Sequence, residues 1–368
     1  MNFLLAVLVL FCTTIFAQEQ KMNIVMIAID DLNDWVGAYG GHPQAITPNI
    51  DKLAEKGMLF RNTSCSGPVC GPSRSALLSG FIASRTGVYG NANYLLNSKL
   101  VQENPTLPEY FSKHGYLTIS RGKIYHGATN KSGIDAGQWA FDIWEHAIDR
   151  SKRNEDKIYS REEGIINGEK IENPLYTKRR GGIFQFGPTQ GGDENTKDYM
   201  TARWFEEKLQ DNYDKPFFMS VGFSKPHLPF YVPQKYFDMY GLDTLITPEY
   251  HLDDLDDIVD INGKKMYEPS DDFLWCEHYG LHEEATQAYL AASTFADACA
   301  GVVLDALEKS KYAENTIVML WGDHGWHLGE KLKYRKASLW RESTQLPFIV
   351  YVPGLTNGEE CTRNVNLQ

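Results

Sequence analysis

Four short, mostly apolar runs set the tightest limit on how this chain folds: Asn23–Ile29 (NIVMIAI), Phe217–Phe223 (FFMSVGF), Thr316–Leu320 (TIVML) and Phe348–Val352 (FIVYV). Each has the length of a strand and little polar alternation, so each needs cover on both faces. A weaker run lies at Tyr116–Ser120. Helical segments sit between them. Thr47-Pro48-Asn49 opens one that stops at Gly57; another runs from about Pro72 to Ser79 and closes at Gly80; a third spans Thr106 to His114 before Gly115. A long one covers about Glu283 to Lys309, with Tyr289, Ala292, Phe295, Cys299, Val302, Val303 and Ala306 near helical spacing. The alternation predicts an α/β fold with a large, mostly parallel central sheet sandwiched by helices.

The chain has 368 residues, enough for one large domain or a large and a small one. The stretch 127–193 is rich in charge, Gly, Asn and Pro, and reads as loops inserted on the substrate side. The apolar run from Phe3 to Phe16 is too short to span a bilayer and ends at small Ala17. Residues 1–17 therefore read as a signal peptide, which places the protein in a secreted, periplasmic or, in a eukaryote, lysosomal setting with no stable membrane anchor. No later segment reads as membrane-spanning. The net charge of -12 argues against nucleic acid as a partner. It does not exclude an anionic substrate, because a local basic cluster overrides the global field. Loss of Cys12 with the signal leaves five cysteines, Cys65, Cys70, Cys276, Cys299 and Cys361. An odd count in a secreted chain asks for one cysteine with a special task, and Cys70 is the candidate.

In open α/β sheets ligands bind beyond the carboxyl ends of the strands. Asp30-Asp31 follow the first run, Gly122-Lys123-Ile124-Tyr125-His126 the weak one, Lys225 and His227 the next, and Asp323-His324 the one after. Two adjacent carboxylates plus an Asp-His pair suit a hard divalent cation, calcium or magnesium. Cys70-Gly71-Pro72-Ser73-Arg74 puts a cysteine at a helix N-terminus, with Pro72 read as the first helical position. That location presents unpaired N–H groups and a positive dipole to an anion or a nucleophile. Arg74 can add a bidentate contact to an oxyanion.

C-x-P-S-R followed by Ser75-Ala76-Leu77-Leu78-Ser79-Gly80 resembles the signature of the formylglycine-dependent sulfatases. Asp30-Asp31-Leu32, Thr47-Pro48-Asn49-Ile50-Asp51, Gly122-Lys123, Pro226-His227 and Asp323-His324-Gly325 fall in the same order as in that family. The resemblance runs from about Asn23 to Val352. Lys123-Ile124-Tyr125-His126, Lys225-Pro226-His227-Leu228-Pro229-Phe230 and His324 are similar to the branch that holds iduronate-2-sulfatase and bacterial glycan sulfatases.

The resemblance implies that a formylglycine-generating enzyme oxidises Cys70 to an aldehyde, whose hydrate attacks a sulfate ester and then expels sulfate. It implies one calcium ion held by Asp30, Asp31, Asp323 and His324, with residue 70 beside it. Arg74 and Lys123 would steady the diol, His126 would be the base for elimination, and His227 would contact sulfate and protonate the leaving group. Lys336, within Tyr334-Arg335-Lys336-Ala337-Ser338-Leu339-Trp340, would be the last sulfate-binding lysine, with Lys331 and Lys333 close by. The substrate implied is a sulfated sugar or polysaccharide, with Asn91–Tyr94 and the 127–193 loops placed near it. The catalytic domain is read as 22–355, and 356–368 as the start of a C-terminal region whose helix and small antiparallel subdomain are apparently missing or truncated. Two other readings compete. A phosphonate or phosphate monoester hydrolase of the same superfamily is one, although a plain phosphatase would carry Ser or Thr where Cys70 stands. An inactive glycan-binding relative is the other, and it would have lost some of these polar residues.

Overall fold

The computed structural model describes residues 21–126, 140–145, 157–177 and 183–368; the expected signal peptide lies outside them. The central sheet has eight strands in the spatial order Glu360–Leu367, Met58–Cys65, Phe348–Tyr351, Thr316–Gly322, Asn23–Ile29, Phe217–Phe223, Leu117–Gly122 and Ile143–Glu145. Only Phe348–Tyr351 runs against its neighbours. The other pairs are parallel, so the sheet is mostly parallel as the alternation implied.

Asn23–Ile29 shows why its run carries no polar alternation. Val25, Ile27 and Ile29 face one core with Ala288, Ala292 and Phe295 of the long helix, His282–Glu308. Ile24, Met26 and Ala28 face the other, with Leu78, Phe218 and Trp321. Each buried aliphatic side chain there contributes roughly 1.5–3 kcal/mol. By length and composition the His282–Glu308 helix passes as a membrane span, contrary to the sequence expectation, but 72% of its most apolar window is buried in the protein. Its apolarity comes from packing on the sheet.

Three further expectations change. Met58–Cys65 (MLFRNTSC) is a strand the sequence reading did not contain, because only part of its surface is buried. Residues 360–367, expected to lead into a helix, form a strand parallel to Met58–Cys65. The run Thr362-Arg363-Asn364-Val365-Asn366 leaves mostly exposed side chains along an edge strand whose backbone bonds hold it. Finally, the 127–193 stretch is not all loop where it is described. Tyr159–Ser160, Ile165–Ile166, Glu169–Lys170 and Gln185–Thr189 join Phe230–Pro233 in a second, five-stranded sheet. Residues 127–139, 146–156 and 178–182 of that stretch lie outside the described residues.

Candidate active site

Four parallel strands place charged groups at one end of the sheet as they exit. Asp30 follows Ile29, Lys123 follows Gly122, Asp323 follows Gly322, and Lys225 and His227 follow Phe223. Asp31 turns back through a left-handed backbone (φ 62°), so two consecutive carboxylates face the same site, and its N–H donates to Asp323 Oδ1 at 2.9 Å. Gly122 is required where Lys123 leaves its strand. Its φ is +83°, and an added Cβ would stand 2.1 Å from the Gly222 carbonyl oxygen.

The helix that carries the candidate nucleophile, Cys70–Ser79, is delivered by the strand the sequence concealed, Met58–Cys65. It starts two residues earlier than expected, with Cys70 itself in the first helical position and Pro72 third. The missing Pro72 N–H costs nothing there, because the first-turn N–H groups have no intrahelical partner. Asn91 Oδ1 accepts the Gly71 N–H at 2.8 Å. Ala76 and Leu78 bury the helix body, and Gly80 closes it at φ 72°.

Ligand atoms of Asp30, Asp31, Cys70, Asp323 and His324, all buried, lie within 4.8 Å of one another. His324 Nε2 stands 3.4 Å from Cys70 Sγ, 3.3 Å from Asp31 Oδ1 and 3.6 Å from Asp323 Oδ1, while Nδ1 contacts the Gly325 carbonyl at 2.9 Å. Three cations surround the acids. Lys123 Nζ pairs with Asp30 and lies 3.9 Å from Cys70 Sγ. Lys336 Nζ pairs with Asp31 and lies 3.0 Å from Cys70 Sγ. Of the three nearby lysines this one reaches position 70; Lys331 instead pairs with Asp254 at 2.7 Å, and Lys333 lines the neighbouring cavity.

Arg74, the third cation, is enclosed by acceptors of the site itself. Its fork faces inward, with Nε on Asp323 Oδ2 at 2.8 Å, Nη2 on Asp30 Oδ1 at 3.2 Å, and Nη1 on the carbonyls of Lys123 and Ile124 at 2.5 and 3.0 Å. A fully buried guanidinium must satisfy its donors locally, so Arg74 ties the acids to the Lys123 turn. His126 helps hold the Cys70 thiol down, and its own Nδ1 is buried without a hydrogen-bond partner. His227 Nε2 lies 3.9 Å from Asp31 Oδ2 and its side chain stays about a third exposed, at 35%.

The electrostatics follow from this crowding. Burial alone would raise the Cys70 thiol; Lys123, Lys336 and His324 outweigh it and hold it well below a free thiol. Burial pushes Asp323 up to about 7, against His324 and Arg74, with Asp30 and Cys70 adding to the rise. Burial opposes charge on His324 as well, but Asp323 outweighs it and holds the imidazole at about 9. Asp31 Oδ2 is buried with no hydrogen-bond partner. Three crowded carboxylates, one orphaned carboxylate oxygen and an imidazole form a donor set that a hard divalent cation fits.

Two cavities open from the site on either side of His227-Leu228-Pro229. One of about 320 Å³ is lined by Asp30, Lys123, Lys197, Asp198 and Lys225. The other, of about 700 Å³, is lined by Asn91, Asp272, Trp326, Arg335 and Lys336. Tyr289, read from sequence only as a core position, also serves the site, since its hydroxyl donates to the Asp31 carbonyl at 2.8 Å and accepts the Asn33 N–H at 2.9 Å. Nothing in its helical spacing distinguished it. All five described cysteines are free, so the parity argument for Cys70 does not hold; its position carries the case.

A mostly parallel sheet whose strand exits gather acids and cations around a cysteine at a helix N-terminus has the arrangement of a hydrolase site. The sulfatase family profile matches residues 22–366, and the chain belongs to that family of sulfuric ester hydrolases. It is 34% identical to a sulfatase of Formosa agariphila, over 99% of this chain and 71% of that protein. It is 29% identical to iduronate 2-sulfatase of Mus musculus, over 91% of this chain and 60% of that enzyme's length. The fold superimposes on phosphonate monoester hydrolase of Agrobacterium radiobacter with a TM-score of 0.67 at 19% identity, covering 94% of this chain and 71% of that one.

Proposed function

We propose that this chain cleaves a sulfate ester on a sugar or polysaccharide, with position 70 as nucleophile after its oxidation to formylglycine by a maturing enzyme. The observation that carries the reading is the placement of Cys70 Sγ, 3.0 Å from Lys336 Nζ and 3.4 Å from His324 Nε2. Asp30, Asp31, Asp323 and His324 would hold calcium, which supplies positive charge to sulfate oxygens and favours ionisation of a hydroxyl at position 70. A hydrated aldehyde supplies two hydroxyls on one carbon, one for attack and one for release. Lys123 and Lys336 flank position 70 and neutralise charge as it builds on the sulfuryl group. His227, partly exposed between the two cavities, holds a proton for the departing sugar oxygen. His126, close enough to residue 70 to act on its ionisation, takes a proton from it during release. Arg74 keeps Asp30 and Asp323 apart and aimed.

A sugar fits the room available, and the iduronate 2-sulfatase relative bears a sugar in its name. We assign the catalytic domain to residues 22–355 and place the protein outside the cytoplasm, on the apolar leader read from the sequence. Sulfate release from sulfated mono- and oligosaccharides, run beside matched phosphonate esters, tests the reading. Preference for the sulfate ester by kcat/KM supports it, and preference for the phosphonate ester overturns it.

A further inference from the structure

Lys336 is fixed by an unusual backbone. Arg335 before it and Ala337 after it both sit in the left-handed region, at φ 76° and 64°, where residues other than glycine rarely stay unless their surroundings hold them. Downstream, the Ala337 N–H donates to the Pro68 carbonyl at 3.0 Å, two residues before the nucleophile. Upstream, Arg335 reaches Asp272 through Nε at 2.5 Å and Nη2 at 3.2 Å.

Asp272 is 3% exposed and opens the Asp271–Tyr279 helix. On its other side Arg161, fully buried, places Nε 2.8 Å from Asp272 Oδ1. Arg161 Nη1 also donates to the Tyr176 carbonyl at 2.8 Å, so the same residue ties down the second sheet's loop. Ser270, the cap of the helix, joins the assembly. Its Oγ accepts from the N–H groups of Phe273 and Tyr334, each at 3.2 Å, and its own N–H donates to the Leu332 carbonyl at 3.0 Å. Helix start and basic loop are thereby fastened at successive residues.

We propose that Asp272 is a positioning residue for the reaction: squeezed between Arg161 and Arg335, it holds the strained turn that aims Lys336 at position 70. This inference rests on the proposed sulfatase chemistry. Arg335 grips the buried carboxylate at two points, which constrains direction as well as distance, and the Arg161 charge holds that carboxylate from its other side. An ammonium on a four-carbon stem has no such constraint of its own. The Arg161–Asp272–Arg335 bridge therefore supplies to Lys336, through the backbone, an orientation its side chain lacks. It also makes the second sheet part of the catalytic apparatus.

The test is a double-mutant cycle on kcat. Asp272→Asn and Arg335→Gln are each made in the wild-type and Lys336→Ala backgrounds, with thermal unfolding recorded for every protein. Arg335→Gln leaves Asp272 paired with Arg161, and it carries the test should Asp272→Asn fail to fold. The expected result is a kcat loss of about 10²-fold in the wild-type background, the order a misplaced catalytic group produces, with KM moved less. In the Lys336→Ala background the same substitutions change kcat by no more than about threefold, since the group they aim is gone. Equal losses in both backgrounds, or no loss in either, overturn the inference while leaving the sulfatase reading standing. A wild-type protein that releases no sulfate overturns both.

Discussion

Lys336 carries the sharpest prediction at the scale of single residues. Its ammonium is the group nearest the nucleophile among the basic-loop lysines, so Lys336→Ala should lower kcat/KM by about 10²- to 10³-fold, the usual loss for one transition-state donor. Lys331→Ala, which only breaks the pair with Asp254, should stay near wild type in a sulfate-release assay. His327 carries a prediction about pH. Burial, with Lys333 adding, holds its imidazole down at about 3 against a normal 6.5. A depressed folded value means that its contribution to stability is present above pH 6.5 and is lost as pH falls toward 3. Glu330 titrates in the opposite sense. Burial pushes it up to about 7 from 4.5, so its contribution is present below 4.5 and is lost as pH rises through 7. A difference measurement cancels Glu330. The stability of wild type minus that of His327→Gln, from chemical denaturation, should climb by about 1.4 kcal/mol per pH unit between 3 and 6.5 and flatten above. At this scale most of the site was legible, because acids, lysines and histidines at strand exits have few other reasons to cluster. The inward contacts of Arg74 were not legible: sequence shows that an arginine lies four residues after Cys70, and the fold shows that it also binds Asp30 and Asp323.

Among the elements, those the sequence revealed are those buried on both sides. Asn23–Ile29 and Phe217–Phe223 end where their apolar runs end, and the capping box of Thr106 and Glu109 starts the Leu107–Lys113 helix next to its Thr signal. Met58–Cys65 stayed hidden because Arg61, Asn62 and Ser64 reach partly or wholly into solvent, and backbone pairing on both sides holds it. The clamp of the Pro48–Lys56 helix is also illegible in local sequence. Asp297, from the long helix, accepts the N–H groups of Asn49 and Ile50 at 3.1 and 2.8 Å, in place of a side-chain cap from Thr47. Asp297→Ala strands those buried donors and should cost about 1–3 kcal/mol in chemical denaturation while leaving KM unchanged. Gly122→Ala drives a methyl group into the Gly222 carbonyl and displaces Lys123; it should lower both stability and kcat.

For the molecule as a whole, the fold gathers buried like charges at one end of its sheet, an arrangement that favours a bound cation. Chelation should therefore lower thermal stability as well as activity, and calcium should restore both. At a hundredfold excess over Kd the restored stability is about 2.7 kcal/mol. Calcium that leaves the unfolding temperature of the stripped protein unchanged would speak against Asp30, Asp31, Asp323 and His324 as ligands.

Mass spectrometry of the tryptic peptide Asn62–Arg74 tests the central claim most directly, on active protein from cells that carry a formylglycine-generating enzyme. The account predicts a peptide lighter than the encoded one by an exchange of sulfur for oxygen and the loss of two hydrogens, and loss of sulfate release in Cys70→Ala. Active enzyme whose peptide keeps an unmodified thiol at position 70 would contradict it.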